Sequence, residues 1–381
     1  KYFSVKTKRL LPLQSMYLKQ LSIINFKNYA EATVQFHPKL NCFTGVNGMG
    51  KTNLLDAIYY LSFCKSYSNT IDSQNILFDQ DFFMLQGLFD NGVEIDEVYC
   101  GIKRAQKKVF KRNKKEYEKL SDHIGLFPLV MISPADTNLI TGGSDQRRRF
   151  IDGIISQFDK LYLDNLVHYN HILQQRNALL KHFSITRSFD SVGLEVWDEQ
   201  LVTYGSYIHN AREVFLKEFI SVFEKYYALI AENNEQVRLK YVSTIQQDYK
   251  AALQAAIKKD CALEHTSIGV HRDDLDFLLS ENPIKKFASQ GQQKTYLLAL
   301  KLAQYEFIKN KKGVRPLLLL DDIHDKLDAH RFKKLIDIVS SDQFGQIFIT
   351  DTHTERMQQL FAHTTDRKIF KVENAVISEI E

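Results

Sequence analysis

Long hydrophobic runs are missing from this 381-residue chain. Stretches such as "FPLVMI" (Phe127–Ile132) and "LLLL" (Leu317–Leu320) are short. A helix that crosses a bilayer needs about 20 apolar residues, so a soluble protein is expected. Cysteine is scarce. Cys42, Cys64, Cys100 and Cys261 show no C-x-x-C pairing and no metal-ligand spacing with the histidines. Each lies among apolar neighbours, which predicts buried, reduced thiols and a cytoplasmic location. Internal repeats and low-complexity segments are absent as well. An excess of one charge is also lacking. The net +4 sits in residues 1–15, "KYFSVKTKRLLPLQS", with Lys1, Lys6, Lys8 and Arg9 and no acid. From Met16 onward 46 basic residues face 46 acidic ones, so any nucleic-acid partner must be argued from local patches. The apolar part of residues 1–15 is too short for a secretory signal. They read as an N-terminal extension outside the fold, with Met16 as the natural start.

What is present is a change of pattern along the chain. From Met16, Tyr17, Leu21, Ile24 and Phe26, then Val34 and Phe36, then Leu40, Cys42 and Thr44 recur at strand-like intervals. "TNLLDAIYYLSF" sets Leu54, Leu55, Ile58 and Leu61 on one helical face. Strands return from Ile76 to Tyr117, and "FPLVMISP" reads as a buried strand stopped by Pro134. After Gly142-Gly143 the chain is mostly helical, from about Asp145 to Leu239. Leu166, Tyr169, Leu173 and Leu180 make a short packing seam there. "SIGVHRDDLDFLL" returns to strand, followed by a helix, "RPLLLLDD", the helix "HRFKKLIDIVSS" and the strand "GQIFIT". This order predicts a discontinuous α/β head, residues 16–143 and 261–381, with an inserted helical lobe at residues 144–260.

Gly45-Val46-Asn47-Gly48-Met49-Gly50-Lys51-Thr52 fits G-x-x-x-x-G-K-[ST] and lies between a strand and a helix. Glycines let the backbone amides turn inward around phosphates at a positive helix N-terminus. Gly45, Asn47, Gly48, Gly50, Lys51, Thr52 and Asn53 are therefore the expected ATP-binding residues. Lys51 would reach the β- and γ-phosphates, and the Thr52 hydroxyl would ligand Mg²⁺. Far along the chain, four leucines precede Asp321-Asp322. Such a run reads as a strand buried on both faces of a parallel sheet, with its carboxylates emerging at the ligand crevice. Asp321 is the expected Mg²⁺ partner, the Walker B aspartate. Asp322 stands where a related ATPase would have a glutamate polarising the attacking water. An aspartate is one methylene shorter, so slow hydrolysis is expected, with Lys51, Asp321 and Asp322 as the catalytic group.

A third block, "SQGQQK" at Ser289–Lys294, places a serine and a glycine before an apolar helix. Ser289, Gly291 and Gln292 resemble the signature of ABC-type ATPases, which completes the nucleotide site of a second subunit. An anion at that helix start would be the γ-phosphate held by a partner's Lys51. "IHDKLD" after the acidic pair resembles that superfamily's D-loop, ending at Leu327-Asp328.

Taken in order, "INFKNY", "GVNGMGKTNLLDAIYYL", "ISPADTNLITGG", "RRRFID", "LQQRNALL", "GVHRDDL", "SQGQQK" and "LLLLDDIHDKLD" resemble the RecF family of bacterial repair ATPases, related to SMC-type heads. The likeness runs from about Met16 to the C-terminus. It implies an ABC/SMC-like head with a compact helical lobe, and double-stranded DNA binding near single-strand gaps. It also implies ATP-dependent homodimers that hydrolysis dissolves, and work with RecR and RecO to load RecA. Two departures stand out. No Q-loop glutamine is evident after the "ISPADTNLI" strand, with Gln146 the nearest, and the switch-histidine candidate His353 lies past Asp351-Thr352.

Lys103–Lys119 holds nine basic and two acidic residues around a turn near Asn113. Lys107, Lys108, Lys111, Arg112, Lys114 and Lys115 would neutralise DNA phosphates without reading bases. A lysine-rich hairpin protecting a sheet edge explains the pattern as well. Arg147, Arg148 and Lys65 are further DNA candidates, with pairing to acids or to the helical lobe the alternative for the arginines. The competing functions are a membrane transporter's nucleotide-binding subunit and an SMC-like structural tether. The transporter is disfavoured by the degenerate signature, and the tether by the lack of room for a long coiled-coil arm.

Overall fold

The computed structural model describes residues 16–231, 235–245, 248–324 and 327–381. The expected extension at residues 1–15 lies outside them, as do residues 325 and 326 of the D-loop segment. The chain first builds β1 (Tyr17–Phe26), β2 (Tyr29–Gln35), β3 (Leu40–Thr44), α1 (Lys51–Phe63), β4 (Phe82–Asp90), β5 (Ile95–Lys103), β6 (Val109–Arg112), β7 (Lys115–Glu116) and β8 (Leu129–Ile132). The middle holds α2 (Thr137–Thr141), α3 (Ser144–Ile155), α4 (Lys160–Thr186), α5 (Ser191–Ile230), β9 (Val237–Val242) and α6 (Tyr249–Leu263). The last part runs β10 (Asp274–Leu279), β11 (Asn282–Pro283), α7 (Ile284–Phe287), α8 (Gln290–Lys312), β12 (Leu317–Leu320), α9 (Ala329–Val339), β13 (Ile347–Asp351), α10 (Thr354–Leu360), β14 (Arg367–Glu373) and β15 (Val376–Glu379).

Two six-stranded sheets pack against α1. One is antiparallel, in the order β2-β1-β4-β5-β6-β7. The other has the order β15-β14-β3-β13-β12-β8 and is parallel from β14 to β8. Strand side chains alternate between faces. Leu317 and Leu319 of β12, with Leu129, Met131, Phe43 and Phe348, therefore join Leu54, Leu55, Ile58 and Leu61 of α1 in one core. Leu318 and Leu320, with Val130, Ile132, Ile347 and Ile349, point the other way. They join Tyr296 and Leu300 of α8 and Phe219 and Phe223 of α5. All four leucines are buried, as a central parallel strand requires.

In β1 the inward set is Leu18, Leu21, Ile23 and Phe26 rather than one containing Ile24. A bulge between Leu18 and Gln20 and a left-handed Asn25 (φ 52°) shift the alternation. The inserted helical segment packs onto the head. Its α5 shares the large core with α8. Its β9 pairs with β10 of the following segment in the sheet β11-β10-β9, and the boundary expected at 260/261 falls inside α6. Val237–Leu239, read as helical, opens β9. Strand pairing at such separation leaves no helical periodicity to read. The α4–α5 hairpin has a small core of its own around Leu180, Phe183 and Leu194. Among the described residues no helix is long and apolar enough to cross a membrane, and the four cysteines are unpaired, three of them buried.

Candidate nucleotide site

The loop from β3 to α1 is bent by three glycines in conformations that other residues rarely adopt: Gly45 (φ 145°), Gly48 (φ 84°) and Gly50 (φ 112°). A Cβ on Gly45 would lie 2.3 Å from the Val372 carbonyl oxygen, so only glycine lets the loop cross β14. Gly50 precedes α1, and no side chain caps that helix. Its first N–H groups are thus left for an anion. Lys51 is buried, and its Nζ donates to the carbonyl oxygens of Gly45 (2.7 Å) and Val46 (3.1 Å), holding the ammonium over the loop. The residues fit a phosphate chain.

The loop is braced from outside. Tyr29 Oη donates to Gly50 O at 3.0 Å, and Asn28 Nδ2 donates to Met49 O at 3.4 Å. The Ala375 N–H donates to Met49 O at 3.0 Å from the turn between β14 and β15. Asn53, expected at the nucleotide, instead donates from Nδ2 to Asn28 Oδ1 at 2.8 Å. Asn47 and Gly48 are exposed at the loop's crest.

Parallel pairing of β12 with β13, and of β13 with β3, carries the carboxylates to the same edge. Thr52 Oγ1 donates to Asp321 Oδ1 at 3.0 Å, and Thr350 Oγ1, at the end of β13, donates to the same oxygen at 2.9 Å. Burial pushes the Asp321 carboxyl up to about 6, with the Asp322 charge adding to the shift and the two hydroxyls opposing it. A cation beside Thr52 and Asp321 would relieve that buried charge, so this pair fits Mg²⁺ that completes its shell with phosphates and water. Asp322 is left-handed (φ 44°), and its N–H donates to Thr350 Oγ1 at 2.9 Å. One threonine thus aligns both acids. Thr350 escaped the sequence reading, although a polar residue closing a buried parallel strand was a usable signal.

The signature block stands apart. Among the described residues no hydrogen bond joins the phosphate loop to Ser289–Gln292. Ser289 is exposed and caps α8: Gln292 N–H donates to its Oγ at 3.2 Å, and Ser289 N–H donates to Gln292 Oε1 at 2.7 Å. Gln292 Nε2 also donates to Glu235 at 2.7 Å. An open cleft of about 460 Å³ adjoins this helix start, lined in part by Glu235, Ser289, Gln292, Asp328 and Arg331. A Cβ on Gly291 would come 3.3 Å from the Arg331 guanidinium. Leu327 donates its N–H to Ile323 O, and Asp328 caps α9 by accepting from Arg331 N–H at 2.9 Å. That bond, with the ion pair to Arg331, holds the Asp328 carboxyl below its ordinary range. His353 is exposed, with its N–H on Asp351 Oδ1, and Gln146 Nε2 donates to the adjacent Asp145.

The basic candidates divide. β6 and β7 do form a hairpin turning at Asn113-Lys114, and Lys107, Lys114 and Lys115 are exposed on it or beside it. Others are already spoken for. Lys108 Nζ pairs with Asp72 (2.7 Å) and donates to Cys64 O (2.6 Å). Arg112 forks onto Asp96 at 2.7 and 2.9 Å, and Lys111 lies over the Tyr99 ring. Arg147 forks onto Asp274 at 2.7 and 2.9 Å, and Arg148 donates to Asp273 O at 2.6 Å. Lys108, Arg112, Arg147 and Arg148 thus already have partners within the chain, three of them carboxylates and, for Arg148, a backbone carbonyl, which charge density in the sequence does not disclose. Lys65, just beyond α1, is exposed, and partial desolvation together with the like charges of Arg149 and Lys108 lowers its pKa.

Comparison with known proteins meets this geometry. The family profile of the RecF/RecN/SMC N terminal domain matches residues 17–378. The chain is similar to the DNA replication and repair protein RecF of Bacteroides fragilis, 51% identical over 96% of this chain and 99% of that protein. It is 40% identical to the protein of the same name from Cytophaga hutchinsonii, over 96% and 97%. Among solved structures it resembles "the recombination mediator protein RecF-ATPrS in RecFOR pathway", with TM-score 0.87, 29% identity, and 97% and 100% of the two chains covered. An Smc head domain from Pyrococcus furiosus shares the fold at TM-score 0.56 and 17% identity, with 96% of each chain covered. The phosphate loop, the aligned acidic pair and the separate signature helix thus sit on a chain that belongs to the RecF family of the RecF/RecN/SMC group.

Proposed function

We propose that this chain is an ATP-binding protein of DNA replication and repair in which nucleotide joins two copies of the chain. The observation that carries the reading is the unpaired half-site. One chain holds a complete phosphate loop with Thr52, Asp321 and Thr350 in register, while among the described residues Ser289 and the start of α8 share no hydrogen bond with it. In the proposed pair, Lys51 and the α1 N-terminus hold the phosphates. Thr52 and Asp321 hold Mg²⁺, which would supply charge neutralisation on the phosphates. Ser289 of the second copy closes the site, and Asp322 orients the attacking water. The short Asp322 side chain supports slow hydrolysis, in which turnover resets the pair. The names borne by the relatives, "DNA replication and repair protein RecF", and the RecFOR pathway named with the similar structures, support gapped double-stranded DNA, RecO and RecR as partners. For DNA, the exposed Lys65, Lys107, Lys114 and Lys115 remain as phosphate contacts.

Size-exclusion chromatography with light scattering, with and without ATP and gapped DNA, tests the reading. The native chain should dimerise with ATP. Lys51→Ala should lose nucleotide binding, and Ser289→Arg should bind ATP yet stay monomeric. Normal dimerisation of Ser289→Arg would remove the composite site.

A further inference from the structure

Behind the nucleotide edge, one buried ion pair ties α8 to the turn after β8. Lys301 and Asp136 are both more than nine-tenths buried, with Nζ 2.5 Å from Oδ1. Lys301 Nζ also donates to Met131 O at 2.9 Å. Asp136 is a meeting point, because it further accepts from Tyr67 Oη at 2.5 Å and from Ser133 N–H at 2.7 Å. Tyr67 belongs to the segment that leaves α1, and its own N–H donates to Asp56 Oδ1 of α1 at 2.6 Å. Asp56 in turn is ion-paired with Lys27, in the β1–β2 turn that braces the phosphate loop. A continuous polar path therefore joins the helix opened by the phosphate loop to the helix opened by the signature, and Asp136 is its junction.

A buried ion pair is a poor way to gain stability, because desolvation offsets most of its attraction; apolar residues of similar size serve as well. What it does supply is a single permitted geometry, since neither charge can move away from the other unaided. We propose that Asp136 is a positioning residue that sets the angle of α8 against α1. It would thereby set where Ser289 stands for a second copy's nucleotide. This rests on the two-copy reading above.

The test measures three quantities on the full chain: ATP affinity at protein concentrations where it is monomeric, the protein concentration for half-dimerisation in ATP, and Tm. Asp136→Asn leaves Lys301 buried without its counter-ion. Tyr67→Phe removes one hydroxyl and keeps the ion pair, so it covers the case in which the first variant does not fold. The double variant Asp136→Leu with Lys301→Met replaces the pair by apolar side chains. ATP affinity is expected to stay within about twofold in all three, while half-dimerisation moves about tenfold higher for Asp136→Asn and about threefold for Tyr67→Phe. The double variant should recover Tm without recovering dimerisation. Wild-type dimerisation by the double variant and Tyr67→Phe, or ATP affinity falling in step with dimerisation, would overturn the role of Asp136. A native chain that stays monomeric in ATP overturns the two-copy reading itself, a separate result.

Discussion

The helices α1 and α8 both begin where a phosphate can sit, and they begin in opposite ways. α1 follows a left-handed glycine and carries no side-chain cap, so its end is open to an anion. α8 is closed by its own capping box between Ser289 and Gln292, and Gln292 is held further by Glu235. A helix terminus with unsatisfied N–H groups offers its donors and its dipole to an anion. One that has satisfied part of its own end offers a hydroxyl and a dipole, and becomes a site only against a ligand held elsewhere. In the two-copy reading proposed above, this difference would separate a complete half from a complementary one within a single chain.

The contrast is broken most severely by the same substitution made on each side. Gly45→Ala drives a Cβ onto the Val372 carbonyl in a conformation alanine avoids, so calorimetry should show ATP affinity reduced about 100-fold. Gly291→Ala meets the movable end of Arg331 and should leave monomer ATP affinity within about twofold. Thr350→Val removes the hydroxyl shared by Asp321 and the Asp322 N–H. Mg²⁺-dependent ATP affinity should fall about tenfold, roughly one to two hydrogen bonds' worth, with little change when Mg²⁺ is absent. Ser289→Ala uncaps α8 and should lower stability by about 1 kcal/mol in denaturant titration, again without touching ATP binding by the monomer.

Proton linkage sharpens the comparison from the α1 side. The folded Asp321 carboxyl titrates at about 6, against roughly 3.9 in an unfolded chain. Mg²⁺ needs the ionised form, so Mg²⁺-dependent ATP affinity should decline by about tenfold per pH unit below 6. The nucleotide-free fold moves the other way: its raised carboxyl takes up a proton first, so this group adds stability as pH falls from 6 towards 4. An Mg²⁺-dependent affinity flat between pH 7 and 5 would remove Asp321 from the metal site.

Much of this was legible without coordinates. The four leucines before Asp321 announced a strand with no wet face, because nothing else accommodates four consecutive buried apolar side chains so near two acids. The glycine spacing of the phosphate loop announced its backbone, since few other residues tolerate those torsions. The partners of Arg112 and Arg147 were not legible, because Asp96 and Asp274 lie on other elements and local charge density is blind to them. The lobe boundary was misplaced for a related reason. β9 finds its partner β10 across α6, and a strand's pairing is decided by the neighbour it meets rather than by its own pattern.

By itself, then, the sequence determined the phosphate loop, the buried acidic strand and the helix behind the signature, all properties of contiguous residues whose local energetics admit few alternatives. Tertiary structure alone decided that Thr350 aligns both acids and that Asn53 meets Asn28. It also decided which surface cations are free and that Asp136 joins α1 to α8. Each of these is a meeting of residues far apart in the chain, and a hydrogen bond or ion pair depends on ångström-scale separation in space, which separation along the sequence does not encode.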